Sequence, residues 1–207
     1  MWRIHPAGDH KSLEKVDNPT ILTVWKRSSM SFQGTDGFTV FDTHGRLVFR
    51  VDNYSRNTRW IGAGDLLLMD GLGNALLTLK PQMVMGIQQQ WVAYSGEDDG
   101  RQRIFSMRRR RRRKEEAEVL MGCSDSKYQI PDFTIEGSFK RRNCNIKNSS
   151  GRMVAKIVRK RVNSTVLLAD DVFTLLLQPG FDAYLIMAFV IVLDRISSHP
   201  FRPLLCS

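Results

Sequence analysis

With 207 residues, 42% of them hydrophobic and 25% charged, the chain has the size and composition of one globular domain, which excludes disorder throughout. The net charge is +10, but the seven consecutive cations at 108–114 supply most of it, and the rest of the chain carries only +3. The basic charge therefore indicates a local site rather than a property of the fold.

The predicted N-terminal tail, residues 1–22, has no apolar segment typical of a secretory signal peptide. We therefore expect that the protein is not secreted and is cytoplasmic. A peripheral position at a membrane and a nuclear location are the further options. The three cysteines Cys123, Cys144 and Cys206 form no C-x-x-C pair and are odd in number. This pattern indicates free thiols in a reducing compartment.

Most of the chain after the tail alternates apolar and polar residues in short runs, which predicts antiparallel β-strands. Three hairpins share a turn in which an Asp or Asn accepts backbone hydrogen bonds and a Gly three residues later takes a positive φ. The pairs are Asp42 with Gly45, Asp70 with Gly73, and Asn148 with Gly151. The irregular spacing of these turns excludes a propeller or solenoid, and it leaves open whether they are an internal repeat or one favourable turn used several times.

Three further β segments are predicted beside these hairpins. A looser hairpin has its turn at 97–100, and a strand covers 133–139. A last hairpin pairs 162–168 with 172–177 around Asp170 and Asp171, which are predicted to form its turn.

Residues 181–196 break the β pattern and predict a helix that is apolar on all sides. Its longest apolar run, 183–193, is shorter than the about 20 residues that a bilayer span needs. A helix without a polar face must be buried on every side, and a closed β-barrel around it achieves this. Asp182 suits the N-terminus of this helix, and residues 197–207 are predicted to be a C-terminal tail.

In this order, four segments resemble the plant LURP-one-related family, which shares the tubby-like fold with phospholipid scramblases. They are Phe38-x-Val40-x-Asp42-x-x-Gly45, Leu68-x-Asp70-x-x-Gly73-Asn74-x-Leu76-Leu77-Thr78-Leu79, Gly137-Ser138-Phe139-x-x-Arg142-x-Cys144, and Asp182-x-x-Leu185-x-x-Ala188-x-Val190. The resemblance implies a mainly β protein with one domain at 23–196, a closed antiparallel barrel around a central helix at 181–196. It also implies a binding role, since tubby proteins bind phosphoinositides and tether to membranes, whereas scramblases are membrane-associated and calcium-responsive.

The basic residues are the candidate binding sites for an anion. The first set lies at the start of a predicted polybasic and acidic loop, residues 108–118. Its members are Arg108, Arg109, Arg110, Arg111, Arg112, Arg113 and Lys114. Glu115, Glu116 and Glu118 follow and are predicted to neutralise part of it. The second set contains Lys140, Arg141 and Arg142, with Lys147, Lys156, Arg159, Lys160 and Arg161 nearby in sequence. A multiply phosphorylated headgroup needs several converging cations, and the alternative is a solvated surface without a ligand.

The sequence contains no motif of a hydrolase, a nucleotide-binding loop or a metalloprotease. We therefore predict a protein that is not an enzyme, with no catalytic residues, no metal and no cofactor. The short acidic run 97–99 lacks the ligand spacing of a calcium loop.

The leading hypothesis is a monomeric tethering module that binds an anionic phospholipid, a phosphoinositide or a protein partner, with a role in plant defence or stress. The alternatives are a nuclear regulator that contacts nucleic acid through its arginine run and a scramblase-like protein that handles lipids.

Overall fold

The computed structural model describes residues 18–27, 37–53, 65–84, 88–96, 102–110, 116–122, 129–163 and 166–198. These residues form twelve strands and one helix. The strands are β1 (Thr20–Arg27), β2 (Gly37–Phe41), β3 (Leu47–Asn53), β4 (Leu66–Asp70), β5 (Ala75–Val84), β6 (Gln88–Ser95), β7 (Arg103–Arg109), β8 (Ala117–Met121), β9 (Phe133–Ser138), β10 (Asn143–Asn148), β11 (Met153–Arg159) and β12 (Val172–Leu177), and the helix is α1 (Ala183–Ser198).

The strands form one closed antiparallel barrel. Each strand pairs with the next in the chain, and β12 returns to pair with β1, with Thr20 opposite Leu177 and Val24 opposite Phe173. Closure leaves no strand edge free in the ladder. The predicted fold class, a closed antiparallel barrel with a C-terminal helix, is therefore confirmed.

Helix α1 lies inside the barrel. The eight consecutive residues 186–193 are all buried, and because successive helical residues point to all sides, the wall must cover every face. Phe189 meets the ring of Phe105 on the wall edge-on, with 4.8 Å between centroids. The helix begins at Ala183, two residues later than predicted, and the carbonyl of Asp182 accepts the N–H of Ile186 at 3.1 Å. Asp182 therefore directly precedes the first turn, as the sequence indicated.

Several bounds differ from the sequence prediction. Strand β1 begins at Thr20, inside the predicted tail 1–22, β9 ends one residue earlier than predicted, and α1 continues to Ser198, past the predicted end at 196. The predicted strand at 162–168 is wrong, because that segment contributes only an isolated bridge from Arg161 to Leu167, and β12 pairs instead with β11 and β1. The polybasic loop is also shorter than expected. Arg108 and Arg109 extend β7 and pair with Glu118 and Ala117 of β8, so the ladder continues into the charged segment.

The antiparallel order places alternate connections at opposite ends of the barrel. The connections β2–β3, β4–β5, β6–β7, β8–β9, β10–β11 and β12–α1 lie at one end, which we call the turn end. The connections β1–β2, β3–β4, β5–β6, β7–β8, β9–β10 and β11–β12 lie at the other, which we call the basic end. Helix α1 starts at the turn end, and its last turns reach the basic end, where Asp194 contacts Lys26 of β1.

Candidate anion-binding end of the barrel

Cations from three neighbouring connections meet at the basic end. They come from the end of β7 and its connection to β8, from the β9–β10 turn, and from the end of β11 and its connection to β12. In the described residues these are Arg108, Arg109, Arg110, Lys140, Arg141, Arg142, Arg159, Lys160 and Arg161. The two predicted basic sets, more than 20 residues apart in sequence, therefore share one end of the molecule.

Two members of the second predicted set lie on strands away from this end. Lys147 of β10 makes an ion pair with Glu136 of β9, with 2.7 Å between Nζ and Oε2. Lys156 lies exposed in the middle of β11. We do not assign these two lysines to the candidate site.

The first part of the arginine run is partly neutralised by the acids that follow it. Arg108 lies 3.3 Å from Glu118, and Arg110 lies 3.1 Å from Glu116 and 3.2 Å from Glu118. The predicted neutralisation is thus confirmed for Glu116 and Glu118. The remaining predicted members Arg111, Arg112, Arg113 and Lys114, with the acid Glu115, lie outside the described residues.

The β9–β10 turn separates three consecutive cations into two environments. Lys140 and Arg141 are exposed, whereas Arg142 is buried and has a positive φ of 51°. The turn closes through the N–H of Arg142, which donates to the carbonyl of Phe139 at 2.9 Å. Just before it, Gly137 has a φ of 102°, and a Cβ there would overlap the carbonyl oxygen of Asn143. The close approach of β9 and β10 therefore requires glycine at this position.

Arg142 belongs to the interior of the basic end. Its side chain is only 7% exposed, and its guanidinium lies over the rings of Phe139 at 4.2 Å and Phe173 at 4.4 Å. Its Nε donates to the carbonyl of Asp170 at 2.7 Å. Burial lowers the pKa of Arg142 below its usual value, while the nearby carboxylates of Asp194 and Asp170 oppose that shift.

Asp194, in the last turns of α1, is the buried carboxylate beside this arginine. Only 3% of it is exposed, and it accepts a hydrogen bond from Nζ of Lys26 at 2.9 Å. Lys26 and Arg142 thus bring positive charge to the C-terminal end of the helix, where the helix dipole is negative. Among the predicted anion ligands that the structure describes, Arg142 is therefore the one whose buried surroundings give it a structural role.

The β11–β12 connection contributes the third group of cations. Arg159 makes an ion pair with Asp170 at 3.1 Å, and Nζ of Lys160 lies 3.2 Å from Oγ1 of Thr23 on β1. Arg161 is exposed. The sequence does indicate this gathering, because in an all-antiparallel barrel alternate connections must share an end. The pairing of Lys26 with Asp194 has no local sequence signal, since 168 residues separate the two.

The described residues contain no helix long and apolar enough to cross a bilayer.

Known proteins resemble this chain along most of its length. The profile of the LOR family, described as LURP-one-related, matches residues 20–194. LURP-one-related 5 of Arabidopsis thaliana is 40% identical over 179 residues, covering 84% of this chain and 82% of its own. LURP-one-related 12 of the same plant is 39% identical over 194 residues, covering 91% and 82%.

An X-ray structure of an Arabidopsis thaliana protein shares the fold at 21% identity, with a TM-score of 0.62 and coverage of 87% of this chain and 92% of that chain. This structural similarity shows the fold, whereas the profile match and the two relatives above show the family. By both, this chain belongs to the LURP-one-related family.

Proposed function

We propose that the protein is a non-enzymatic tethering module whose basic end binds anionic phospholipid, with phosphoinositide headgroups as the preferred ligand. The observation that carries this proposal is that exposed cations from three adjacent connections share one end of a closed barrel. Cations that converge from separate loops suit a headgroup with several phosphates better than an isolated run does.

The expected attachment is reversible and sensitive to salt. Each cation near an anionic membrane contributes about 1 kcal/mol, and this contribution decays within a Debye length. The ion pairs of Arg108, Arg110 and Arg159 reduce the contribution that these three residues make to membrane binding. Lys140 and Arg141 are exposed and make no ion pair with another described residue, so we expect them to contribute most among the described cations. Arg161 is also exposed at this end.

The resemblance to tubby-like proteins, which bind phosphoinositides and tether to membranes, supports the same proposal. In this view the protein is peripheral at a cytoplasmic membrane surface, acts as a monomer, and serves a defence or stress response in the plant through a protein partner.

A vesicle co-sedimentation experiment tests the proposal. The basic-end variant Lys140→Ser, Arg141→Ser, Arg161→Ser is compared with the control variant Arg46→Ser, Arg152→Ser, Lys156→Ser, which removes the same charge from the turn end and the wall. On phosphatidylcholine vesicles that contain a phosphoinositide, we expect the basic-end variant to lose about 100-fold in affinity. The control should lose much less.

Two results would count against the tethering proposal. Equal losses in the two variants would show that net charge alone governs binding. Tighter binding of the wild-type chain to duplex DNA than to anionic vesicles at the same salt concentration would favour the nuclear alternative.

A further inference from the structure

The connection between β11 and β12 folds into a small ordered hairpin at the basic end. The N–H of Leu168 donates to the carbonyl of Lys160 at 2.9 Å, and the N–H of Val162 donates to the carbonyl of Val166 at 3.0 Å. The side chain of Asn163 accepts the N–H of Val166 at 2.8 Å. These bonds join residues 160–162 to residues 166–168, and we call these two described stretches, together with Asn163, the apolar hairpin.

The apolar hairpin presents aliphatic side chains to solvent. Val162 is 66% exposed, Val166 47% and Leu167 40%. A single exposed aliphatic residue needs no explanation, but three within six residues of one connection form a local apolar patch. The barrel interior does not use these side chains, so they are available to a partner.

Cations precede this patch in the chain and lie in the neighbouring connection. Arg159, Lys160 and Arg161 lead directly into the hairpin, and the β9–β10 turn with Lys140 and Arg141 is the neighbouring connection at the same end. Trp25 of β1 is also exposed and pairs with Val172 just after the connection. Indole side chains favour the interface between lipid headgroups and acyl chains.

We propose that the apolar hairpin inserts Val162, Val166 and Leu167 into the interfacial layer of an anionic phospholipid membrane, while the cations around it contact headgroups. This inference rests on the proposed function and names the segment that enters the bilayer. Exposed aliphatic side chains next to an excess of cations match a surface that is anionic outside and apolar a few ångströms below.

In the described part of the opposite end, the most exposed aliphatic side chains lie close to acids in the sequence. Leu72 and Ile130 are even more exposed there, at 91% and 77%, but each lies two residues from an aspartate, Asp70 and Asp132. An anionic surface would repel those carboxylates. Exposed apolar area alone would point to either end. Around the apolar hairpin, however, the cations Arg159, Lys160 and Arg161 outnumber the acids Asp170 and Asp171, and this excess of positive charge favours the apolar hairpin.

The test compares two sets of exposed aliphatic residues. One variant carries Val162→Ser, Val166→Ser and Leu167→Ser, and the control carries Leu47→Ser, Leu72→Ser and Ile130→Ser at the turn end. Both are titrated with vesicles of phosphatidylcholine and phosphatidylserine at low and high salt, after their melting temperatures have been compared with that of the wild type.

We expect the hairpin variant to bind on the order of tenfold more weakly at both salt concentrations, because the apolar contribution does not depend on screening. The control should bind like the wild type. In addition, Val166→Trp should tighten binding, since tryptophan favours the interface.

Wild-type affinity in the hairpin variant would overturn the inference while leaving the proposed function in place. Failure of the wild-type chain to bind anionic vesicles at all would overturn both.

Discussion

The chain reverses direction differently at the two ends of the barrel. At the turn end, a short polar side chain satisfies the backbone within each tight turn, so that the carboxylate of Asp70 alone accepts the N–H groups of Leu72, Gly73 and Asn74 at 2.8–2.9 Å. At the basic end, the three consecutive cations of the β9–β10 turn divide between an interior network and the surface. One end therefore uses its charge locally to fix backbone geometry, and the other presents charge outward.

Helix α1 joins the two ends, and disrupting it should have the largest effect. Val190→Asp places a charge at a fully buried position, which costs several kcal/mol, comparable to the whole stability of the domain. We expect loss of cooperative folding in thermal and urea melts. Tyr184→Asp, at an exposed position in the first turn of the same helix, should fold normally. A cooperative melt of Val190→Asp would show that the helix is not internal.

Arg142→Ala should have the next largest effect on stability, because it removes a buried cation beside Asp194. We expect a loss of about 3 kcal/mol in the free energy of unfolding, since the remaining carboxylate is left under-compensated and the contacts with two aromatic rings are lost. The neighbouring Arg141→Ala changes an exposed side chain and should stay within about 0.5 kcal/mol of the wild type.

A second substitution at position 142 separates the effect of the side chain from that of the backbone. Arg142→Gly should be less destabilising than Arg142→Ala by about 1 kcal/mol, because glycine accepts the positive φ without strain. Equal stability of Arg141→Ala and Arg142→Ala in urea titrations would refute the interior role of Arg142.

Glycine substitutions compare the turns themselves. Gly137→Ala, at the basic end, adds a Cβ against the carbonyl of Asn143 and should cost about 2 kcal/mol or more. Gly151→Ala, at the turn end, has a φ of 79° but no neighbouring atom within 4 Å, so only backbone strain of about 1 kcal/mol opposes it. If chemical denaturation gave the reverse order, the close approach of β9 and β10 would not be the constraint we infer.

Asp70→Asn should have the smallest effect and the clearest pH dependence. The side-chain amide of Asn74, and then the backbone N–H groups of Asn74, Gly73 and Leu72, lower the pKa of Asp70 below its usual value of 3.8, against a smaller opposing effect of burial. Because the folded pKa is the lower one, this stabilisation is complete above 3.8 and is lost as the pH falls through the folded pKa.

The melting temperature of Asp70→Asn should therefore lie below that of the wild type at neutral pH, and the difference should shrink in acid. The neutral turn of Asn148 supplies the control, since the destabilisation caused by Asn148→Ala should not change with pH over this range. A constant difference between Asp70→Asn and the wild type would contradict the assignment.

The local features of the fold could be predicted from the sequence. Alternation of apolar and polar residues identifies strands, an Asp or Asn three residues before Gly identifies turns, and a helix without a polar face requires an enclosing wall. The apolar residues of 162–168 misled the same reasoning, because Val162, Val166 and Leu167 face solvent. The pattern shows which side chains are apolar, but it does not show whether they point to the core or to solvent.

The division of Lys140, Arg141 and Arg142 between surface and interior could not be predicted. It depends on the positive φ of Arg142 and on side chains of β12 and α1 that arrive from distant parts of the chain. The charge run itself was evident in the sequence, whereas the partner of each cation follows from strand register.

Hydrogen exchange by mass spectrometry, with and without phosphoinositide-containing vesicles, tests the difference between the ends most directly. We predict slower exchange on vesicles in peptides that cover 139–142 and 160–171 at the basic end, and unchanged exchange in those covering 71–74 and 149–152 at the turn end. Protection at the turn end, or equal protection at both ends, would contradict the claim that the basic end faces the membrane.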